Sequence, residues 1–254
     1  MATIPETRAG SLPGVELLVF DLDGTLIDSK QDLALSVNAV RERIGLAPLD
    51  DGTVASYVGR GVVVLMRRAL GEGATEEDVE QAVAFFLDYY RSHMLDHTVS
   101  YPGVREALEA LAGRKLAVLT NKPVKFSRAI LAGLGISRYF TQVYGGNSFE
   151  QKKPDPIGLM TIMRESGAAA AETMIVGDSD TDVLTGRNAG VWTCGVSYGL
   201  APETLKTTPP DFMLDDLREL PRLLDGQGLR NATDSRLRRK HGRNRPNKNA
   251  AVEP

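Results

Sequence analysis

Hydrophobic and polar positions follow two different rhythms along the chain. The run Leu17-Leu18-Val19-Phe20 is continuously apolar, which is typical of a strand buried on both faces of a parallel sheet. From Tyr101 onward, short apolar runs alternate with segments whose apolar residues recur every three to four positions. The predicted later strands are 116–120, 142–144, 174–178, 191–196 and 212–214. This alternation predicts βαβ units and an α/β fold with a parallel central sheet.

Residues 30–97 have a different pattern, with helical spacing of apolar positions throughout. We expect one helix after Ser29, a second after Gly61, and a third from about Thr75 to His93. Ser29 is a candidate N-cap, and Thr75 begins the [ST]-x-x-[DE] pattern of a capping box. The sequence therefore predicts a helical domain at 30–97, inserted into a core made of residues 15–29 and 98–225.

Charge is distributed unevenly between the body of the chain and its end. The net charge is −3, yet residues 226–254 hold eight lysines and arginines against two acidic residues. This basic tail lacks apolar periodicity and aromatic side chains, a composition typical of disorder. We predict a solvated, disordered extension, with binding of nucleic acid or an acidic partner as the alternative.

The composition also excludes several classes of protein. Cys194 is the single cysteine, so no disulfide framework forms within one chain. No apolar run reaches the roughly 20 residues needed to cross a bilayer. The N-terminal segment lacks the apolar region of a secretory signal. We therefore expect a cytoplasmic protein without a membrane partner, either monomeric or homodimeric.

Candidate chemistry collects where the predicted strands end. Asp21, Asp23 and Gly24 follow the first strand directly, and Thr120-Asn121-Lys122 follows the second. A later strand delivers Asp178, with Asp182 four residues on. The carboxyl ends of parallel strands lie at one edge of a sheet, where ligands of open α/β sheets bind. These side chains can therefore converge.

The residue types suit the chemistry of a phosphate ester. A hard cation such as Mg²⁺ prefers oxygen ligands, and Asp21 and Asp178 are the natural candidates. One carboxylate can attack phosphorus to form an acyl-phosphate, while Asp23 can transfer protons. Thr120 and Asn121 can hold phosphate oxygens, together with a lysine.

Four motifs carry a family resemblance. They occur in the order Asp21-Leu22-Asp23-Gly24-Thr25-Leu26, Thr120-Asn121-Lys122, Lys153-Pro154 and Gly177-Asp178-Ser179 with Asp182. The set resembles the haloacid dehalogenase (HAD) superfamily of phosphatases. The resemblance implies a Rossmann-like HAD core with a parallel central sheet and an inserted helical cap domain, and Mg²⁺ as cofactor.

The same resemblance implies a role for each residue. Asp21 is expected to be the nucleophile and a metal ligand, and Asp23 the general acid/base that also gives its carbonyl oxygen to the metal. Asp178 completes the protein ligands and Asp182 supports them. Lys153 is expected to stabilise the phosphoryl group. The expected phosphate-binding residues are Thr120, Asn121 and Gly24.

Three further segments narrow the resemblance to the phosphoglycolate phosphatases. They are Phe20 to Ser29, Val58-Gly59-Arg60-Gly61 and Tyr101-Pro102-Gly103-Val104. Asn147 departs from the pattern, since relatives often have Asp there. The resemblance implies hydrolysis of the small phosphomonoester 2-phosphoglycolate to glycolate and phosphate. Related HAD enzymes act on sugar phosphates or pyrophosphate, as phosphatases or phosphomutases, and these activities remain the alternatives.

Arg60 has two interpretations at this level. It lies between two glycines in the predicted cap, where a closing loop could present its guanidinium to a substrate carboxylate. An ordinary surface arginine explains the sequence equally well.

Overall fold

A computed structural model describes residue 12 and residues 14–226 of the chain. The predicted disordered tail, apart from its first residue, lies outside the described residues. The strands are β1 Leu17–Phe20, β2 Ile27–Asp28, β3 Val99–Ser100, β4 Lys115–Leu119, β5 Gln142–Tyr144, β6 Thr173–Gly177, β7 Trp192–Val196 and β8 Phe212–Leu214.

Helices separate most of these strands. The α-helices are α1 Lys30–Arg43, α2 Asp51–Tyr57, α3 Val62–Leu70, α4 Glu76–His93, α5 Val104–Ala110, α6 Val124–Gly133, α7 Ile157–Ser166, α8 Asp180–Ala189 and α9 Leu220–Leu224. Short 3-10 helices occur at Ser137–Tyr139, Ala170–Glu172, Pro202–Lys206 and Leu217–Glu219. Within residues 14–226, no helix combines the length and the apolar character that a bilayer crossing requires.

Six strands form one parallel sheet in the order β5-β4-β1-β6-β7-β8. This confirms the predicted α/β fold. β1 lies inside the sheet, where Leu17 pairs with Lys115 of β4 on one side and with Thr173 of β6 on the other. The carboxyl end of β1 therefore lies between the carboxyl ends of β4 and β6, which brings three candidate segments together.

Both faces of the sheet are covered, which explains why β1 is apolar at every position. Leu18 and Phe20 belong to a large apolar cluster shared with α1 to α4. Leu17 and Val19 belong to a smaller cluster that includes Leu159 of α7. Each fully buried side chain of this size stabilises the fold by about 1.5–3 kcal/mol, so β1 is firmly fixed beneath the site.

A two-stranded ribbon joins the four-helix segment to the sheet. β2 and β3 pair antiparallel, Ile27 with Ser100 and Asp28 with Val99, and α1 to α4 lie between them in the chain. The buried Asp32 carboxylate reinforces this junction, because it accepts hydrogen bonds from the backbone N–H groups of residues 97 and 98 at 2.8–3.1 Å. The two connections therefore leave the sheet side by side.

The four-helix segment confirms part of the prediction and corrects part. The capping box of α4 is present, with Thr75 and Asp78 exchanging hydrogen bonds. α2 was not predicted, and Asp50 caps it by accepting a hydrogen bond from the Thr53 N–H at 2.9 Å. Ser29 occupies the predicted N-cap position of α1, but its side chain makes no capping hydrogen bond. Its hydroxyl donates to Asp23 Oδ1 at 2.6 Å instead.

The last predicted helix, 217–224, is two elements in the structure. Leu217–Glu219 is a 3-10 turn, and α9 begins only at Leu220. Pro221 accounts for the boundary, since proline lacks an N–H and is tolerated only in the first turn of an α-helix.

Candidate active site

A cavity of about 50 Å³ lies between the sheet edge and the four-helix segment. By the same measure one water needs about 10–15 Å³, so the cavity admits a small ligand. Polar groups reach it from Asp21, Asp23, Thr120, Asn121, Lys122 and Tyr90. The helices contribute apolar side chains, among them Val62, Leu65 and Phe86.

Lys153 links two of the predicted site carboxylates. Its Nζ lies 2.8 Å from Asp21 Oδ1 and 2.6 Å from Asp182 Oδ1, and all three side chains are buried. Burial alone would lower the pKa of the Lys153 ammonium, but the Asp182 and Asp21 carboxylates outweigh it and raise the pKa. Lys153 is therefore a fixed positive charge beside the expected nucleophile.

The expected nucleophile is a destabilised anion in this environment. Burial raises the pKa of Asp21 from 3.8 to about 6; the Lys153 charge opposes this shift and the Asp182 charge adds to it. A carboxylate that has lost its hydration attacks more readily than a solvated one, provided that nearby cations keep it ionised.

Asp178 approaches the end of β1 closely, and two glycines make room for it. A Cβ on Gly24 would lie 2.2 Å from Asp178 Oδ2, and one on Gly199 would lie 2.2 Å from Asp178 Cβ. Gly24 also has a φ of +85°, which favours glycine. Two backbone N–H groups, from Leu200 and Ala201, donate to Asp178 Oδ2 at 2.6 and 3.0 Å.

These carboxylates fit a hard divalent cation. Ligand oxygens of Asp21, Asp178 and Asp182 lie within 4.8 Å of one another, and all three residues are buried. Burial, aided by the charges of Asp182 and Asp21, raises the pKa of Asp178 to about 8. Such crowding of buried anions is costly without a compensating cation, and carboxylate oxygens are the donors that Mg²⁺ prefers.

Asp23 has its own partners, separate from the carboxylate cluster. Lys122 Nζ donates to Asp23 Oδ1 at 2.9 Å and Oδ2 at 3.2 Å, and Ser29 Oγ donates to Oδ1 at 2.6 Å. The two aspartates of the first motif thus each contact a different buried lysine. Lys122 and Ser29 were not predicted as site residues, although both occur inside the motifs that the sequence displays.

The fold and this geometry agree with a family comparison. A model of the haloacid dehalogenase-like hydrolases matches residues 18–196. The chain belongs to this family. The matched span runs from β1 to β7, and it includes every predicted site residue of the hydrolase.

Individual relatives of the hydrolase carry a more specific name. A phosphoglycolate phosphatase from Pseudomonas fluorescens is 42% identical over 235 residues, which cover 89% of this chain and 85% of that protein. One from Vibrio parahaemolyticus is 40% identical over 217 residues, covering 81% and 94%. A crystal structure described as a predicted phosphoglycolate phosphatase from Haemophilus somnus has a TM-score of 0.78 at 32% identity, covering 82% and 97%.

Thr120 and Asn121, two of the predicted phosphate-binding residues, differ from each other in the contacts that their side chains make. Thr120 is buried beside the cavity, and its Oγ1 accepts from the Lys122 N–H at 3.2 Å. The Asn121 amide instead donates to the carbonyls of Gly59 and Lys153 and accepts from the Lys153 N–H. Its side chain therefore positions the Lys153 loop, and phosphate binding through its backbone stays a prediction.

Two further predicted residues of the hydrolase also have structural partners. The Gly24 N–H donates to the Ile27 carbonyl at 2.9 Å, so it is already engaged within the loop. The absence of a side chain at Gly24 makes room for Asp178.

Arg60 lies 3.3 Å from Asp180 and is 56% exposed. Its guanidinium therefore points to the rim and not into the cavity, and contact with substrate stays a prediction.

Proposed function

We propose that this hydrolase is a Mg²⁺-dependent phosphomonoesterase that acts through an aspartyl-phosphate, with 2-phosphoglycolate as its substrate. One observation carries the reaction class: two carboxylates two residues apart, Asp21 and Asp23, face one small cavity, each beside a different buried lysine. The names of the most similar relatives support the choice of substrate.

Asp21 and Asp23 divide the work in this proposal. A carboxylate oxygen of Asp21 attacks phosphorus, and the bond between phosphorus and the ester oxygen breaks. Asp23 gives a proton to that leaving oxygen, so glycolate departs as the alcohol. Asp23 then takes a proton from water, the water oxygen attacks phosphorus, and the P–O bond to Asp21 breaks to release phosphate.

The surrounding groups stabilise charge during these two steps. Lys153 supplies a fixed ammonium beside the attacking oxygen, where negative charge accumulates on the phosphoryl group. Bound Mg²⁺, held by Asp21 and Asp178 with Asp182 in support and the Asp23 carbonyl as a further ligand, would neutralise part of the substrate's charge. The apolar side chains of the four-helix segment exclude water from the cavity, which strengthens these interactions.

The four-helix segment, residues 30–97, acts as the cap domain in this proposal, and residues 15–29 and 98–225 as the catalytic core. A cap attached through a ribbon can open to admit substrate and close for the reaction. A cytoplasmic location and a monomeric or homodimeric state belong to the same proposal.

A substrate panel with and without Mg²⁺ tests the proposal. 2-Phosphoglycolate, sugar phosphates and pyrophosphate are compared by kcat/KM, and the highest value is expected for phosphoglycolate with Mg²⁺ present. Asp21→Asn should abolish turnover with the fold retained, whereas Asp88→Asn on the exposed face of α4 should not change it. A higher kcat/KM for a sugar phosphate or pyrophosphate would contradict the substrate, and activity in Asp21→Asn would contradict the covalent step.

A further inference from the structure

Two polar groups meet at the wall of the cavity beside Asp23. Lys122 comes from the core, three residues after the end of β4, and Tyr90 comes from α4 of the four-helix segment. Lys122 Nζ lies 4.6 Å from the centre of the Tyr90 ring, and both residues line the cavity. The pair therefore joins the two parts of the molecule at the place where a leaving group would lie.

Both groups have unused hydrogen-bonding capacity. The Tyr90 side chain is only 1% exposed, yet within the described part of the chain its hydroxyl meets no partner at hydrogen-bond geometry. The Lys122 ammonium carries three donors, and among the described residues its two hydrogen bonds go to the single carboxylate of Asp23. Buried polar groups normally find partners, so an unused hydroxyl beside an ammonium indicates a ligand.

The charge state of the pair defines the ligand. A lysine side chain is cationic at neutral pH, and the Lys122 ammonium lies 2.9 Å from the Asp23 carboxylate. Burial raises the pKa of Tyr90 to about 12, so its hydroxyl remains a neutral donor at neutral pH. A cation and a neutral donor on one wall of an otherwise apolar pocket suit an anion with two acceptor oxygens.

We propose that Lys122 and Tyr90 form the subsite for the carboxylate of the substrate's leaving group, and so select phosphorylated short hydroxy acids. This inference rests on the proposed function and deepens it, because it assigns the half of phosphoglycolate that the phosphoryl site does not bind. One methylene separates the ester oxygen from the carboxylate in that substrate, which matches a subsite adjoining Asp23. The wall formed by the four-helix segment is lined mainly by apolar side chains, among them Val62, Leu65 and Phe86, and these suit the several hydroxyls of a sugar poorly.

The rival assignment is Arg60. Its guanidinium lies at the rim on Asp180, and it does not line the cavity, whereas its neighbours Gly59 and Gly61 do. To reach the substrate, Arg60 would have to leave Asp180 and turn inward, while Tyr90 and Lys122 already face the cavity.

The test compares 2-phosphoglycolate with ethyl phosphate, which has the same ester but no carboxylate. We expect the wild-type protein with Mg²⁺ to prefer phosphoglycolate strongly in kcat/KM. Tyr90→Phe should reduce this preference at least about tenfold, as expected for one lost hydrogen bond to a charged group. The kcat/KM for ethyl phosphate should change less than about twofold, since the ring and its packing are retained.

Two control variants and a melting curve make the result decisive. Tyr89→Phe, one residue earlier on α4, should leave both substrates unaffected, and thermal melting should show that Tyr90→Phe folds. Arg60→Ala should keep the preference. If Tyr90→Phe keeps the preference, or Arg60→Ala removes it, the subsite is wrong and the proposed function stands. If the wild-type protein shows no preference for phosphoglycolate, the proposed substrate fails as well.

Discussion

Replacing Asp178 by asparagine should make the metal-free protein more stable while it removes activity. In the folded protein the pKa of Asp178 is about 8, against an ordinary value of 3.8, because of burial and the Asp182 and Asp21 charges. The folded state therefore binds a proton that the unfolded chain has released. The sign follows directly: this residue costs stability above pH 3.8, and the cost grows with pH until about pH 8.

The free-energy cost of Asp178 at pH 7 follows from the difference between pH 7 and the ordinary pKa of 3.8. At 1.36 kcal/mol for each of about three pH units, the cost is about 4 kcal/mol. Asparagine is neutral and avoids this cost. Its carbonyl oxygen can still accept from the Leu200 and Ala201 N–H groups that now bind Oδ2, and its NH₂ would face Asp21 and Asp182. A gain of this size corresponds to roughly 10 °C in melting temperature.

Calorimetric melting in EDTA at pH 5.5, 7 and 8.5 measures the effect. The wild-type melting temperature should fall across this range, the Asp178→Asn protein should melt higher at pH 7, and its dependence on pH should be weaker. Mg²⁺ should raise the wild-type melting temperature by binding the folded state, and it should do little for the variant. A variant that melts below the wild type at pH 7 in EDTA would refute the reasoning, as would a wild-type stability that rises with pH.

Three further substitutions test other contacts. Gly24→Ala would place a Cβ 2.2 Å from Asp178 Oδ2 at a positive φ, so we expect a loss of Mg²⁺ affinity by titration and about 1–3 kcal/mol of stability by denaturation. Lys153→Met leaves the buried Asp21 without its ammonium, which should cost about 3–5 kcal/mol near pH 8. The pKa of Asp21 is about 6 with Lys153 present and rises without it, so the cost should shrink as the pH falls from 8 to 6, where the variant already takes up a proton that the wild type has released. Asn147→Asp keeps the acceptor for the first N–H of α6 and adds a negative charge at that helix terminus, so the free energy of unfolding should rise by about 0.3–1 kcal/mol with kcat unchanged.

Long periodic segments made most of the fold predictable. β1 is apolar at every position because it is covered on both faces. The start of α4 is predictable because Thr75 and Asp78 form a capping box. The ribbon of β2 and β3 was missed, since two residues per strand are too few to display any period. Short α2 was missed too, although Asp50 before Thr53 is a capping signal that the sequence contains.

Some residues of the candidate site could likewise be predicted from the sequence, and others could not. Asp21, Lys153 and Asp178 follow strands or flank recognisable motifs, and the structure brings them together. Tyr90 carries no local signal, because it occurs four residues after Phe86 on α4 and has the spacing of an ordinary core position. Its unpartnered hydroxyl and its nearness to Lys122 depend on how α4 lies over the sheet, which no local pattern encodes.

The ribbon between β2 and β3 has a consequence for how such proteins diversify. Because Asp28 and Val99 are paired neighbours, residues 29–98 can be exchanged for the corresponding segment of a relative at two adjacent junctions, without breaking a strand of the six-stranded sheet. A chimaera made there would keep Lys122 and take the residue at position 90 from the relative. One half of the proposed subsite would then come from the core of one parent and the other half from the four-helix segment of the other. New substrate preferences could therefore arise by recombination without any change at Asp21.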